Sequence, residues 1–487
     1  MIFSDFAFHN IKLKGALIIL VFLLYSGTSF GQLVPVPSGK PFRLTSFYEI
    51  IFKNHPIAKQ ANLMPEIAKQ ELRMARGMFD PKIGADFLQK QYNDKDYYNN
   101  LDAYLKVPVW TNTDLKVGRE RNTGVFLNNS DNVPEGGLTY AGIEIPIGQG
   151  LFIDQRRAML RQAQIFQTMA VAEQQKMLNK LILSAAKDYW NWYFSYRQLI
   201  LADSAFVFAQ QNYNAVRQRV VQGDLANIDS VEAKIFLQDR IILLQQSKLD
   251  WQNASLQLAN YLWLDNNQPA ELADDVNPEL TVEQAMLPSE AAVNELFEFA
   301  KANHPELVKA KGKINQLDID RRLSVEMLKP VLNVQYNFLT RPDGTFSELN
   351  ILQNNYKAGV NFSFPLFLRK ERGKLQLVKT KLLQSQNELS QLNRDIITEL
   401  NQSNNNIRNM RNQLDVVNSM VVNHNILLRA EVRKFENGES SLFLVNSRQS
   451  KFIEAQVKQA SLVSKLQKEK AMLYWAAGAN EFSGMGK

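Results

Sequence analysis

The chain has 487 residues, 45% of them hydrophobic and 22% charged, and a mean hydropathy of −0.27; that balance excludes a polytopic bundle of membrane helices. The net charge is +7, but no concentrated basic block with interleaved aromatics occurs, so nucleic acid is not an expected partner. Cysteine is absent, which excludes disulfides, thiolate metal sites and a lipidated N-terminal cysteine.

Lys12 and Lys14 precede the apolar run Ala16 to Tyr25, and Ser29 and Gly31 supply the small residues a signal peptidase requires before Gln32. Residues 1–31 are therefore expected to be a cleaved signal peptide, with an uncleaved anchor as the alternative, and the protein to be exported. The mature chain has no further uninterrupted apolar stretch near 20 residues, so it can enter a membrane only as strands.

Arg43 to Lys53 reads as a short amphipathic helix broken at Asn54-His55-Pro56, and a second helix runs from there to Gly77. Pro81 to Gly150 changes character, with Tyr, Thr, Asn and Val among turn signals such as Asn93-Asp94 and Glu135-Gly136-Gly137. Within it, Ala141, Ile143, Ile145 and Ile147 share one face of a strand and Tyr140, Gly142 and Glu144 the other, and Pro146 stands near its end. Leu151 to Gln222 then contains neither Gly nor Pro, enough for an uninterrupted helix of about 105 Å. Gly223 stops it, and a second breaker-free run, Asp224 to Gln268, returns as an antiparallel partner.

The pattern restarts after an acidic, proline-punctuated linker, 269–288. Asn303-His304-Pro305 repeats Asn54-His55-Pro56, and Pro330 repeats Pro81 at the same offset. Strands with apolar faces follow (Leu332, Val334, Tyr336, Phe338; then Val360, Phe362, Phe364, Leu366), separated by the turn Arg341-Pro342-Asp343-Gly344. Pro365 leads into Lys374 to Asn437, Gly438 breaks the helix, and Glu439 to Ala477 returns. The chain is thus an internal duplication, residues 32–268 and 289–487, of helix, strands, long helix, tip and helix. The fold class is α+β, with duplicated long α-helical hairpins forming a helical barrel and strands contributed to a shared transmembrane β-barrel. Four strands per chain, two from each repeat, cannot close a barrel alone, and open edges are intolerable in lipid, so the chain is expected to oligomerise.

Leu375, Val378, Leu382, Leu389, Leu392 and Ile396 form a seam at 3–4 spacing, resumed by Met410, Leu414, Val417 and Val421. The polar run Asn401 to Asn406 between them fits either a water-filled lumen or a solvated outer face. His55 and His304 at the helix junctions read as breakers and caps rather than metal ligands. The aromatic run Tyr189, Trp190, Trp192, Tyr193, Phe194 and Tyr196 reads as packing between helices. No nucleophile elbow, phosphate loop, HExxH or Cys/His cluster is present, so neither enzymatic activity nor a cofactor or metal is expected.

These residues resemble the TolC-like outer-membrane efflux proteins. The resemblance is carried by the two Asn-His-Pro starts, the prolines flanking the strands, Gly142-Ile143-Glu144-Ile145-Pro146, Ala186-Lys187-Asp188-Tyr189-Trp190, and the tips at Gly223 to Ala233 and at Gly438. It implies a homotrimer in the outer membrane with four strands per protomer in a barrel of twelve, and a tunnel of helices extending into the periplasm. It further implies docking to a periplasmic adaptor and an inner-membrane transporter, as the exit duct of a tripartite efflux or type I secretion system. A periplasmic coiled-coil adaptor is the alternative; it would share the hairpins but gives no reason for duplicated strands flanked by prolines. Two departures stand out. Pro81 to Gly150 is about twice as long as Pro330 to Pro365, so Ala103 to Phe126 could add a hairpin, and Leu444 and Ser447 stand where the family often carries acids.

Pro81, Pro146, Pro330 and Pro365 are expected at the barrel-to-helix transitions, because proline fixes φ and removes a donor. The basic residues after the exit strands (Arg156, Arg157, Arg161; Arg369, Lys370, Arg372, Lys374) would then meet anionic headgroups or a solvated helix face. At the periplasmic tip, Gly223 and Gly438 are flanked by Asp224, Glu436 and Glu439, with Asp229 further along the returning helix. Asp224 and Glu439 are candidates for a cation-selective ring and Asp229 for an inter-helix latch; simple solvation of these acids is the alternative.

Overall fold

The computed structural model describes residues 32–33, 41–273, 275–280, 288–341 and 355–479. The expected signal peptide, and the Arg341 turn beyond its first residue, lie outside the described residues. The chain forms two compact units, each drawing on both repeats: residues 1–56, 185–283 and 414–464, and residues 57–184, 284–413 and 465–487.

The second unit holds a six-stranded antiparallel sheet in simple sequential order: β1 (Lys82–Tyr92), β2 (Lys95–Pro108), β3 (Asp114–Thr123), β4 (Leu138–Pro146), β5 (Val331–Thr340) and β6 (Tyr356–Ser363). The two repeats meet at β4 and β5, where Ile143 stands opposite Tyr336 and Pro146 opposite Asn333. The expectation of four strands is corrected here, because β2 and β3 form a complete additional hairpin. Its entry is the Asn93-Asp94 turn, whose two residues have φ of 49° and 56°. Such angles suit Asn and Asp and match the twist of a two-residue hairpin.

Helices α1 (Leu44–Asn54) and α2 (Pro56–Arg76) are separated at His55, and α5 (Glu290–Asn303) and α6 (Pro305–Glu326) at His304. His304 caps α6, its Nδ1 accepting from the Glu306 N–H at 3.2 Å; burial lowers its pKa below the ordinary value of 6.5 and so favours the neutral form that can accept. The long helices are α3 (Gln155–Gln222), α4 (Asn227–Ala259), α7 (Arg369–Glu436) and α8 (Leu442–Ala476). Helix α4 stops short of the expected Gln268. The chain turns at Asn260 so that Leu262 is fully buried and the Tyr261 hydroxyl reaches Asp188 at 2.6 Å. No described helix is long and apolar enough to cross a membrane.

In the second unit, Leu72 and Ala75 of α2 pack on Leu160 and Ala163 of α3, and Ile319 and Leu323 of α6 pack on Ile153 and Ala158. The expected α7 seam is present: Val378, Ile396, Leu414 and Val417 are buried, and the other named positions are half-buried. In the polar run only Ser403 is buried, with its hydroxyl on the Glu469 carbonyl of α8. The first unit is organised by the aromatic run. Trp192 is fully buried, its indole N–H donates to Ser255 at 2.9 Å, and its ring meets Phe42 and Tyr189 edge-on. Tyr189 in turn donates to the Phe42 carbonyl at 2.7 Å. A short N-terminal segment lies against the linker through the parallel pairs Gln32 with Ala270 and Leu33 with Glu271.

Candidate functional site

Because side chains alternate along each strand, the register sorts the sheet into two faces. One carries Ile83 and Phe87, Leu101 and Leu105, Leu115 and Val117, Ile143 and Ile145, Val334 and Tyr336, then Val360 and Phe362. Many of these are openly exposed, Ile83 to 89% and Val360 to 69%. An exposed apolar surface running across six strands is not a water-facing surface. The other face is polar and charged, and a concavity in it is lined by residues including Asp102, Asp114, Lys116, Glu120, Tyr140 and Lys357.

These polar-face residues are tied across strands. Lys116 pairs with Asp102 at 3.2 Å and lies 3.8 Å from the Tyr104 ring centroid, while the Tyr140 hydroxyl donates to Asp102 at 2.7 Å. Asp114 holds Lys106 at 2.7 Å and Arg156 at 3.0 Å. Glu120 of β3 and Lys357 of β6 approach to 3.7 Å, across three strand spacings of about 4.8 Å each, which requires the polar face to be concave. Gly118 makes room for this packing, since a Cβ there would fall 2.6 Å from the Tyr140 ring. The sequence suggests only a possible hairpin at 103–126; the alternation of Leu101, Ala103, Leu105 and Val107 with Asp102, Tyr104 and Lys106 is the signal for its faces.

The four predicted prolines fall at one end of the sheet. Pro81 precedes β1, Pro146 ends β4, Pro330 precedes β5, and Pro365 follows β6 by two residues. Lys82 opposite Lys106, Asp114 opposite Glu144 and Val331 opposite Ser363 place those ends together. The turn after β4 is built by two charged residues that sequence reasoning assigned otherwise or missed. Buried Glu326 accepts from the N–H groups of Gly150 and Phe152 at 3.2 and 3.3 Å. Buried Arg157 donates to Asp154 at 2.6 Å and to the carbonyls of Gly150 and Leu151 at 2.6 and 3.1 Å. Arg156 and Arg157 are thus consumed by the fold, which corrects the expectation that they meet lipid headgroups or solvent; Arg369, Lys370, Arg372 and Lys374 remain exposed.

The first unit contains both helix tips. Gly223 and Gly438 have φ of +85° and +76°, and each ends its helix with a matched pair of bonds. Gly223 N–H reaches Val220 and Asp224 N–H reaches Arg219; Gly438 N–H reaches Phe435 and Glu439 N–H reaches Lys434. This is the Schellman closure, which needs a left-handed residue. The tips are packed together: Val216, Ala233 and Leu442 form a buried cluster joined by Val220, Leu225 and Phe435, and Arg219 covers the Phe435 ring. Asp224, Glu436 and Glu439 are exposed. Asp229 caps its own helix, accepting from the Ala226 N–H at 3.1 Å. Glu431 accepts from Ser440 at 2.5 Å and meets Arg448 at 3.5 Å, contacts that hold its pKa below the ordinary carboxylate value. Among the described residues no group of three His, Cys, Asp or Glu side chains is placed to hold a metal.

Residues 296–479 match the family model of the outer membrane efflux proteins. No curated protein sequence matches the chain. Among solved structures, the Campylobacter jejuni CmeC outer membrane channel is 13% identical, covers 91% of this chain and 88% of its own, and superposes with a TM-score of 0.64. The outer membrane protein VceC of Vibrio cholerae is 13% identical, with coverage of 90% and 96% and a TM-score of 0.64. The Neisseria gonorrhoeae MtrE outer membrane channel, in an open state, is 14% identical, with coverage of 90% and 89% and a TM-score of 0.64. The second repeat therefore carries the outer membrane efflux protein signature, and nine-tenths of the chain has the fold of these outer-membrane channels.

Proposed function

We propose that the chain is one protomer of a homotrimeric outer-membrane efflux duct, its strands closing a barrel in the lipid and its helical hairpins lining a passage through the periplasm. The observation that carries this reading is the two-faced sheet: exposed apolar side chains on one face, interlocked charges on the other, and an unclosed edge at each end. A sheet of that kind is stable in lipid only when its edges are paired. The tips, with Asp224, Glu436 and Glu439 exposed around Gly223 and Gly438, are the periplasmic mouth, where a periplasmic adaptor coupled to an inner-membrane transporter would dock. Three copies of each acid around that mouth favour cations.

Membrane fractionation and planar-bilayer recording test the proposal together. The protein is expected to stay in the outer membrane through high-salt and mild alkaline washes, and to conduct ions when reconstituted. Release by either wash overturns the reading in favour of a peripheral periplasmic protein.

A further inference from the structure

Resting on the trimeric reading above, we propose that the β2–β3 hairpin is part of the barrel wall, so that β1 of one copy pairs with β6 of the next and three copies close a barrel of eighteen strands. Six strands in the described antiparallel sheet times three copies gives that number, against the twelve that four strands per protomer imply. With neighbouring strands about 4.8 Å apart and a tilt near 40°, the backbone diameter rises from about 24 Å to about 36 Å. Barrels of this larger size leave an aqueous channel rather than a lumen filled by side chains.

Three features place the hairpin in the wall. First, the register runs without a break from Lys82 opposite Lys106, through Val107 opposite Leu115, to Leu115 opposite Ile143; the shift at Lys90/Gln91 lies at the far end. Second, the apolar face continues over the added strands, with Ile83, Phe87, Leu101, Leu105, Leu115 and Val117 all exposed. A hairpin folded into the lumen or laid over the outside in water would put that face in contact with water at about 25 cal/mol per Å². Third, the polar face binds the hairpin to its neighbours through Lys116–Asp102–Tyr140 and through Glu120–Lys357.

The remaining edges then specify the partner. Strands β1 and β6 stand at the two ends of the sheet order, each with one side of its backbone unpaired by any described strand. Strand β1 starts at the end of the sheet where β6 finishes, as the chain of pairs from Lys82 to Ser363 shows. The two edges of successive copies therefore meet antiparallel, continuing the alternation of the sheet. A second copy of this chain supplies the missing edge, and head-to-tail repetition closes the ring.

The absence of native cysteine makes the seam directly testable by disulfide formation. Ala85→Cys in β1 is combined in turn with Ala358→Cys, Val360→Cys or Phe362→Cys in β6, and a parallel series replaces Ala85→Cys with Val117→Cys in β3. All these positions lie on the apolar face, and directly opposed residues on antiparallel strands come close enough for a disulfide. After oxidation in outer membranes, at least one Ala85→Cys pair is expected to convert most of the chain to covalent dimers and trimers, and no Val117→Cys pair to do so. Crosslinking in the Val117→Cys series instead would put the seam at β3 and the β1–β2 segment outside a twelve-stranded wall. An intramolecular disulfide between Ala85→Cys of β1 and Ala141→Cys of β4, which the β2–β3 hairpin holds apart in an eighteen-stranded wall, would put that hairpin outside it. Either result overturns the proposal while leaving the trimer intact. The mass of the cysteine-free protein in detergent separates the two readings. A trimeric mass without crosslinks in the Ala85→Cys series overturns the eighteen-stranded seam alone, and a monomeric mass overturns the trimer as well.

Discussion

Replacing Arg157 by leucine removes the side chain that closes the turn between β4 and α3. The guanidinium is nine-tenths buried, as is Asp154, with side-chain exposures of 8% and 9%, and it donates to Asp154, Gly150 and Leu151. Removing one partner of a buried pair costs about 3–5 kcal/mol, because the other charge is left buried. Two features pull the loss toward the lower limit: Arg156 still lies 3.8 Å from Asp154, and Asn112 still donates to the Gly150 carbonyl at 3.2 Å. We therefore expect Arg157→Leu to destabilise by about 3 kcal/mol, roughly a hundredfold in the folded-to-unfolded ratio. Urea unfolding of the protein reconstituted in lipid, followed by tryptophan fluorescence, measures it. Arg372→Leu, at an exposed position of α7, is the control and should move the curve by less than about 0.5 kcal/mol. Asp154→Leu combined with Arg157→Leu should recover part of the loss, since no buried charge is then orphaned. Equal, small effects for Arg157→Leu and Arg372→Leu would refute the reasoning and return Arg157 to the role of an ordinary surface cation.

Gly223→Ala and Gly438→Ala should each cost about 1–2 kcal/mol, because both positions are left-handed while a Cβ meets nothing within 4 Å; Asn at either site should restore most of it, read as proteolytic resistance of the tips. His304 has a lowered pKa in the folded chain, so the unfolded chain binds the extra proton. The stability this represents is complete above about pH 6.5 and is lost as the pH falls through the folded value. Thermal scans from pH 7.5 to 5 should show the decline, and His304→Asn, which keeps a capping acceptor, should flatten it. Glu431 has the same sign in the acid range: its lowered pKa stabilises the second tip above the ordinary carboxylate value and ceases to as the pH falls through the folded one. Ser440→Ala should raise that value, as carboxylate titration by NMR of the reconstituted protein can show. In bilayers, Asp224→Ala with Glu439→Ala should reduce cation preference, and Asp229→Ala should raise conductance by loosening the start of α4. Unchanged conductance and selectivity in all of these would put the constriction elsewhere.

The residues that announced themselves did so through local chemistry. Gly223 and Gly438 interrupt helices because a left-handed residue closes the last turn, and no distant contact is needed to say so. The Asn-His-Pro junctions, the prolines bounding the strands and the 3.6-residue seam of α7 are equally local, and so were readable in order along the chain. Leu332 to Phe338 and Ala141 to Ile145 alternate cleanly and lie in strands. The β2–β3 hairpin was blurred because Tyr98, Asn99 and Asn100 carry no such alternation and because Asn93-Asp94 is one turn signal among several. Pairing with a partner strand, which no local pattern encodes, decided its register.

What the sequence by itself determined was therefore the duplication, the presence of the long helices and the glycine tips that end them. The tertiary structure alone decided how many strands share the described sheet and which of the charges are buried in the fold. Arg157 and Arg372 are both basic residues shortly after a strand, and the local difference between them is Asp154, three residues before Arg157, where Arg369 stands three residues before Arg372. One is buried on Asp154 and two carbonyls, the other exposed. Hydrophobic periodicity and backbone propensity act over a few residues, whereas the turn at Gly150 that buries Arg157 is held by Asn112 and Glu326, 38 and 176 residues away in sequence. That difference in range is why the architecture could be read along the chain and the site could not.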